Sequence, residues 1–341
     1  MTAKMCSDLA RERKKSVEIP ARPNGSVGFV VNPKVTVVYM YSDQLSDYLR
    51  MVLLPTVRFR QFCDARDHSD KPLGSGQSFY WNVYSKVQTG GGKLLEHQKM
   101  KETKFTITQG SGTVYEYGNS VPYTGLLDDL SLQPVKEVID QVLKIDATET
   151  LDYAAWEQFD AASAVLSVGP TSGNSSTAVT LDLDGMSTAN NLAMNKAHVG
   201  AIVSLMKERN IPGYFENGDY GCIARPTTFD TLESDLEGIH QYVTPGFDMI
   251  RNGEKGRYRG VRFFEQTAIA SEGWSNAKSD AAYFFGADTV HEAIVIPEEM
   301  RGKIPGDFGR DKGVAWYYLG GFKLVHSTSA QARIMKWDSA S

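Results

Sequence analysis

The stretch SGQSFYWNVYSKVQTGGGKLLEHQKMKETKFTITQGSGTVYEYGN, residues 75–119, restricts the fold more than any other part of the chain. Within FYWNVYSKV, Phe79, Trp81, Val83 and Val87 share one parity and Tyr80, Asn82, Tyr84 and Lys86 the other. That predicts a strand with two unlike faces. The return run puts Phe105 and Ile107 on one face, and Gly110 and Gly112 ahead of TVYEY predict a bulge or bend. Ten strand residues reach roughly 33 Å, and a two-stranded ribbon of that length is marginal in water unless it lies on something. Its tip, 88–104, holds three glycines, several charges, and only Leu94, Leu95 and Met100 as large apolar groups. Such a tip makes no core of its own. It predicts a contact with another subunit, through Lys93, Leu94, Leu95, Glu96, Lys99 and Met100.

The second constraint is a long helix over about 134–162. Pro134 suits a first helical position, with Asp128 and Asp129 just before it. Val135, Val138, Ile139, Val142 and Leu143 form a stripe, continued by Leu151, Ala154, Ala155, Phe159 and Ala162 with some drift. Val138, Val142 and Phe159 are its expected core positions. Near thirty residues give about 45 Å of helix, a spine for the subunit, with a bend expected at DATET.

Residues 1–40 read as a basic arm containing Lys4, Arg11, Arg13, Lys14, Lys15 and Arg22, either a solvated, partly flexible terminus or an extended arm that lies on another subunit. Leu45, Tyr48, Leu49, Val52 and Leu53 follow at helical spacing that Pro55 should stop. RFRQFCDAR alternates charge with apolar groups, as a half-buried element does. Downstream come a short strand at 178–183, a helix at 190–208, the buried strand YGCIARP, and a helix capped by Thr227 or Thr228. Short strands then alternate with Gly- and Pro-rich loops, and the chain ends in two strands around Gly320 and Gly321. The fold class is α+β.

Chemistry is harder to find. Around TGGGKLL, Val87 stands where a phosphate loop needs its first glycine, and Leu94 replaces the hydroxyl residue. GSGQSF and GSGTVY lack the third glycine of a dinucleotide fingerprint. His68, His97, His198, His240, His291 and His326 are scattered, and Cys6, Cys63 and Cys222 lie far apart, so neither a metal site nor a disulfide framework is expected. Asp182 and Asp184 would share a strand face, which permits a cation without arguing for one. With 36 basic against 41 acidic side chains, the net charge of −5 does not favour a dedicated nucleic-acid binder. The charged N-terminal residues lack the apolar run of a signal peptide, and no run suits a membrane span. The reading is no enzyme, no cofactor, no metal and no membrane partner.

Arm, long hairpin, spine helix, mixed α/β region and returning strands together resemble the major capsid proteins of tailed bacteriophages, most closely those of phages with short tails. The likeness rests on YSDQLSDYLRMVLLPTVRFRQF, TVYEYGNSVPYTGLLDDLSLQPV, TETLDYAAWEQF, IARPTTFDTLESD, GRYRGVRFFEQTAI and FFGADTVHEAIVIP, and spans roughly 40–341. It implies an N-terminal arm (1–40), a peripheral domain (41–74 and 120–190), an extended hairpin (75–119), an axial domain (191–318) and C-terminal strands returning to the peripheral domain (319–341). It further implies pentamers and hexamers that close an icosahedral shell around double-stranded DNA, held non-specifically. Scaffolding, portal and decoration proteins would be partners, with assembly in the host cytoplasm and residence in the virion. Some relatives cross-link subunits through a Lys–Asn isopeptide bond, and Lys93 occupies the corresponding tip. The encapsulin-like nanocompartment shell shares the fold and is the first alternative. An intracellular hydrolase with a site built from remote residues is the second.

Overall fold

In the computed structural model the described residues are 57–68, 76–84, 92–97, 99–100, 102–131, 134–168, 179–185, 193–240, 257–269 and 281–337. The expected basic arm, the helical spacing around Leu49 and most of the glycine run at the hairpin tip lie outside them.

Two sheets and a hairpin organise the described chain. The four-stranded sheet has the order β1 (Asp64–Asp67), β11 (Val290–Gly302), β12 (Asp311–Leu324) and β4 (Tyr115–Thr124). The seven-stranded sheet has the order β6 (Val179–Asp182), β5 (Val165–Val168), β13 (Ile334–Trp337), β10 (Ala282–Phe285), β7 (Tyr220–Ala224), β9 (Val261–Glu265) and β8 (Arg257–Tyr258). The hairpin pairs β2 (Ser78–Tyr84) with β3 (Ile107–Thr113). Helices α1 (Gly125–Leu130) and α2 (Val135–Asp160) accompany the first sheet, while α3 (Lys196–Glu208) and α4 (Pro226–His240) flank β7 in sequence. The mixture is α+β, as the periodicities predicted.

The spine helix is α2, helical throughout Val135–Asp160, including Asp146–Thr150. Its buried line is Val135, Ile139, Leu143, Ala147, Leu151, Ala155 and Phe159. Steps of four residues advance about 40° beyond a full turn each time, so the line winds around the helix. The winding lets one helix serve two neighbours. Early on, Asp146 accepts from the indole of Trp316 on β12 at 2.7 Å and from Asn119 on β4 at 3.0 Å. At its end Phe159 meets Phe59 and Phe285 at ring-centroid distances of 5.2 and 5.7 Å, and Asp160 receives the Tyr283 hydroxyl and the Lys336 ammonium. Phe159 is therefore core, as expected. Val138 is half-buried and Val142 is 50% exposed, so the latter is not a core position. A stripe drawn straight along the axis includes it; the wound line leaves it outside.

Several sequence boundaries move for identifiable reasons. Tyr115–Asn119, grouped with the hairpin by sequence, pair with Gly320–Trp316 inside the four-stranded sheet, so the hairpin strands end at Thr113. Gly320 and Gly321 do not separate two strands but lie within β12. A Cβ at Gly321 would overlap the Thr113 carbonyl where the hairpin base crosses the sheet, and one at Gly320 would overlap Tyr318 and the Ala293 carbonyl. Residues 290–324 join β4 and α2, not the α3–α4 region, whereas the terminal strand β13 pairs with β10 and β5 in the seven-stranded sheet. The expected C-terminal return is thus exchanged between the two halves. Strands β5 and β6, assigned by sequence to the spine-helix half, also belong to the seven-stranded sheet. Thr227 and Thr228 sit inside α4, which begins at Pro226, a residue suited to a first helical position. α3 is capped instead by Asn195, which accepts from the Ala197 and His198 amides while the His198 ring accepts from the Asn195 amide.

Candidate functional site

The hairpin is built on a two-faced strand pair. Phe79 pairs with Gly112 and Trp81 with Gly110 in a register that runs unbroken from Ser78↔Thr113 to Tyr84↔Ile107. The expected bulge is absent. The two glycines are there because the aromatic rings opposite lie over them: a Cβ at Gly110 would overlap the Trp81 indole, and one at Gly112 the Phe79 ring. Gly112→Ala is expected to lower stability by about 1–3 kcal/mol, an overpacking effect visible as a reduced unfolding midpoint.

The inner face binds the hairpin base to the rest of the chain. Phe79 is fully buried, and Phe79 and Trp81 stack on the His291 ring of β11 at centroid distances of 5.4 and 5.9 Å. The Trp81 indole donates to the Val325 carbonyl at 3.2 Å. Beneath them, the His291 and His68 Nε2 atoms stand 3.3 Å apart, within hydrogen-bond reach if one imidazole is a neutral acceptor. Burial holds the His291 pKa below its ordinary value of 6.5, helped by Arg66 and His68 and opposed by Asp64 and Asp288. Asp288 is itself held below the usual carboxylate range, first by the hydrogen bond from His326 and then by Arg333. Both folded pKa values lie below their unfolded ones. Their stabilisation is therefore present above those unfolded values and is lost as pH falls, for His291 from about pH 6.5 downward. The unfolding midpoint is expected to drop between about pH 7.5 and pH 5.5, and His291→Gln should flatten that part of the profile. An unchanged slope in the variant would remove His291 from the account.

Among the described residues, the outer face and the tip are left exposed. Tyr80 and Tyr84 are exposed, with Ile107 paired directly to Tyr84. Beyond the strands, Lys93, Leu94, Leu95, Glu96, Lys99 and Met100 are all exposed, and Leu94, Leu95 and Met100 retain 62–64% of their surface. Lys99 pairs with Glu102 at 2.9 Å. The six tip residues singled out by sequence therefore lie on one solvated segment, joined by the exposed Phe105. Tyr84 and Ile107, not singled out by sequence, lie on this same exposed face. The signal for Tyr84 was its parity with Tyr80, and for Ile107 its parity with Phe105.

A second exposed apolar surface was not anticipated. The β11–β12 connection carries Ile304 and Phe308, both almost wholly exposed, with Asp307, Phe308 and Gly309 at positive φ of 45°, 51° and 90°. Helix α1 adjoins it, since the Gly125 amide donates to the Arg310 carbonyl at 2.8 Å and Lys312 pairs with Asp128 at 2.8 Å. α1 adds exposed Leu126 and Leu130.

A polar junction gathers around Arg60. Arg60 pairs with the buried Glu292 at 2.7 Å and also with Glu298, and the Tyr318 hydroxyl donates to Glu292 at 2.9 Å. The Arg60 amide donates to Asp152 on α2 at 3.0 Å, and the Gln266 side chain donates to the same carboxyl at 2.6 Å. Burial nonetheless raises the Asp152 pKa, and it pushes the Tyr318 phenol well up. One short segment, 58–62, thus ties the spine helix to both sheets. Among the described residues, no group of three or more histidine, cysteine or acidic side chains could hold a metal ion.

A family model described as phage capsid protein matches residues 109–331. No curated protein sequence matches the chain. Among solved structures, the capsid of cyanophage Pam1 is similar over 94% of this chain and 100% of that one, with a TM-score of 0.65 and 15% identity. The capsid of Ralstonia phage GP4 is similar over 94% and 99%, with a TM-score of 0.61 and 13% identity. That of cyanophage P-SCSP1u covers 89% and 94%, with a TM-score of 0.61 and 11% identity. At these identities the structures share the fold.

Proposed function

The chain belongs to the phage capsid protein family, and from that premise we propose that it is the major shell subunit, with the hairpin as a strap between neighbouring copies. One observation carries the strap: the hairpin is anchored at its base by Phe79 and Trp81, yet keeps Leu94, Leu95, Met100 and Phe105 in solvent. A rigid root with an apolar, uncovered tip suits an element that completes its burial on another molecule. The charges beside it, Lys93, Glu96 and Lys99, contribute little energy each but set register at the rim of such a contact.

In this reading, the four-stranded sheet with α2 forms the peripheral domain and the seven-stranded sheet with α3 and α4 the axial domain. Copies gather as pentamers and hexamers into an icosahedral head around packaged DNA, aided by scaffolding and portal proteins, in the host cytoplasm. The role is structural, and no reaction is assigned. Electron microscopy of purified particles tests this reading. DNA-filled shells with one portal vertex support it; small, portal-free shells holding protein cargo would identify a nanocompartment instead. A stable monomer that never assembles, even with its scaffold, would overturn both.

A further inference from the structure

A concavity of about 500 Å³ lies between α3 and the β8–β9 turn, lined by Lys207, Arg257, Arg259 and the buried Asp219. Asp219 is already used twice, accepting from Arg257 at 2.6 Å and from Arg262 at 3.3 Å. Among the described residues no carboxylate pairs with Arg259 or Lys207. The site therefore holds more positive than negative charge.

The backbone around Arg259 is unusual for an incidental surface arginine. Arg259 and Gly260 form the two-residue link between β8 and β9, with φ of 48° and 80°. Such turns take Asn, Asp or Gly at the first position, because a larger side chain is strained there. The strained arginine is laid across α3 at Gly200, where any Cβ would overlap its guanidinium. Glycine inside a helix is itself unfavourable by about 0.5–1 kcal/mol relative to alanine. Two local sacrifices thus place one cation at the rim of a basic hollow, an arrangement that points to a ligand.

We propose that this hollow is an anion site that receives an acidic side chain from a second copy of the chain, joining adjacent subunits. The inference rests on the shell reading above. Among the described residues the site stands at β8, one edge strand of the seven-stranded sheet, while the opposite edge strand, β6, carries Asp182, which accepts from the Ser167 hydroxyl, followed by the exposed Asp184. Subunits related head to tail in a ring set unlike edges together, so edges of opposite charge complement one another. A recessed, single hollow also suits one carboxylate better than the evenly spaced phosphates of a duplex.

Arg259→Asn provides the test, because asparagine tolerates the left-handed backbone and carries no charge. The variant subunit is expected to unfold at the same temperature or higher. Its DNA-free assembly should need on the order of tenfold more protein for half-completion, the equivalent of losing one good charge pair. Lys207→Gln, at an exposed helical site, should shift assembly in the same direction by less. A lowered unfolding midpoint in Arg259→Asn would make the arginine a support of its own fold and overturn the proposal. So would normal DNA-free assembly of both variants, including the case where only retained DNA declines, which would assign the hollow to phosphate. Failure of the unaltered protein to assemble would strike the shell reading itself.

Discussion

Replacing Phe159 by Asp is expected to leave no soluble folded subunit, while Val142→Asp on the same helix folds normally. Phe159 is fully buried among Phe59, Phe285 and the residues joining the two sheets. Truncating such a ring removes about 3–5 kcal/mol, and an unpaired carboxylate in its place adds a further desolvation penalty. A domain has about 5–15 kcal/mol in all, so this change consumes most of it. Val142 keeps half of its surface in solvent, where a substitution shifts stability by no more than about 0.5 kcal/mol. Solubility, far-ultraviolet circular dichroism and thermal unfolding separate the two. Equal behaviour would mean that the buried line does not wind around α2 as described.

Cutting the hairpin back to its root is expected to produce the opposite dissociation, a folded subunit that does not assemble. Tyr84 and Ile107 face each other in register, so residues 85–106 can be replaced by Asn-Gly to close a two-residue turn. Everything that fixes the base remains: Phe79 and Trp81 on His291, and the indole hydrogen bond to Val325. The shortened loop lowers the closure entropy slightly, by about 0.6 kcal/mol for each halving of its length. The unfolding midpoint should therefore stay near that of the full chain. Shell formation, followed by light scattering and sedimentation, should be lost with Leu94, Leu95, Met100 and Phe105. Normal shells from the shortened chain would end the strap interpretation. Loss of folding would return the hairpin to the subunit's own core.

Elements with a strong local signal were legible in the sequence. The two-parity pattern of FYWNVYS gives β2 its inner and outer faces, because alternate side chains of a strand must point opposite ways. The apolar spacing after Pro134 gives a helix that begins at Val135 and ends within two residues of the expected stop. The exposure of the tip residues was legible for the same kind of reason: charge and glycine cannot make a core wherever they are placed. What the tertiary structure alone decided is partnership. No local rule pairs β13 with β10 and β5, or β12 with β4, since those contacts join residues far apart in the chain. Glycines were misread on the same account. Gly110, Gly112 and Gly321 looked like breaks, yet each sits in regular strand because a ring or a carbonyl from elsewhere occupies the space of its missing side chain. Val142 was assigned to the core for want of the one fact a periodicity lacks, the direction from which neighbours approach. Sequence sets which side chains need burial; only the assembled neighbours, by filling volume, determine which of them obtain it.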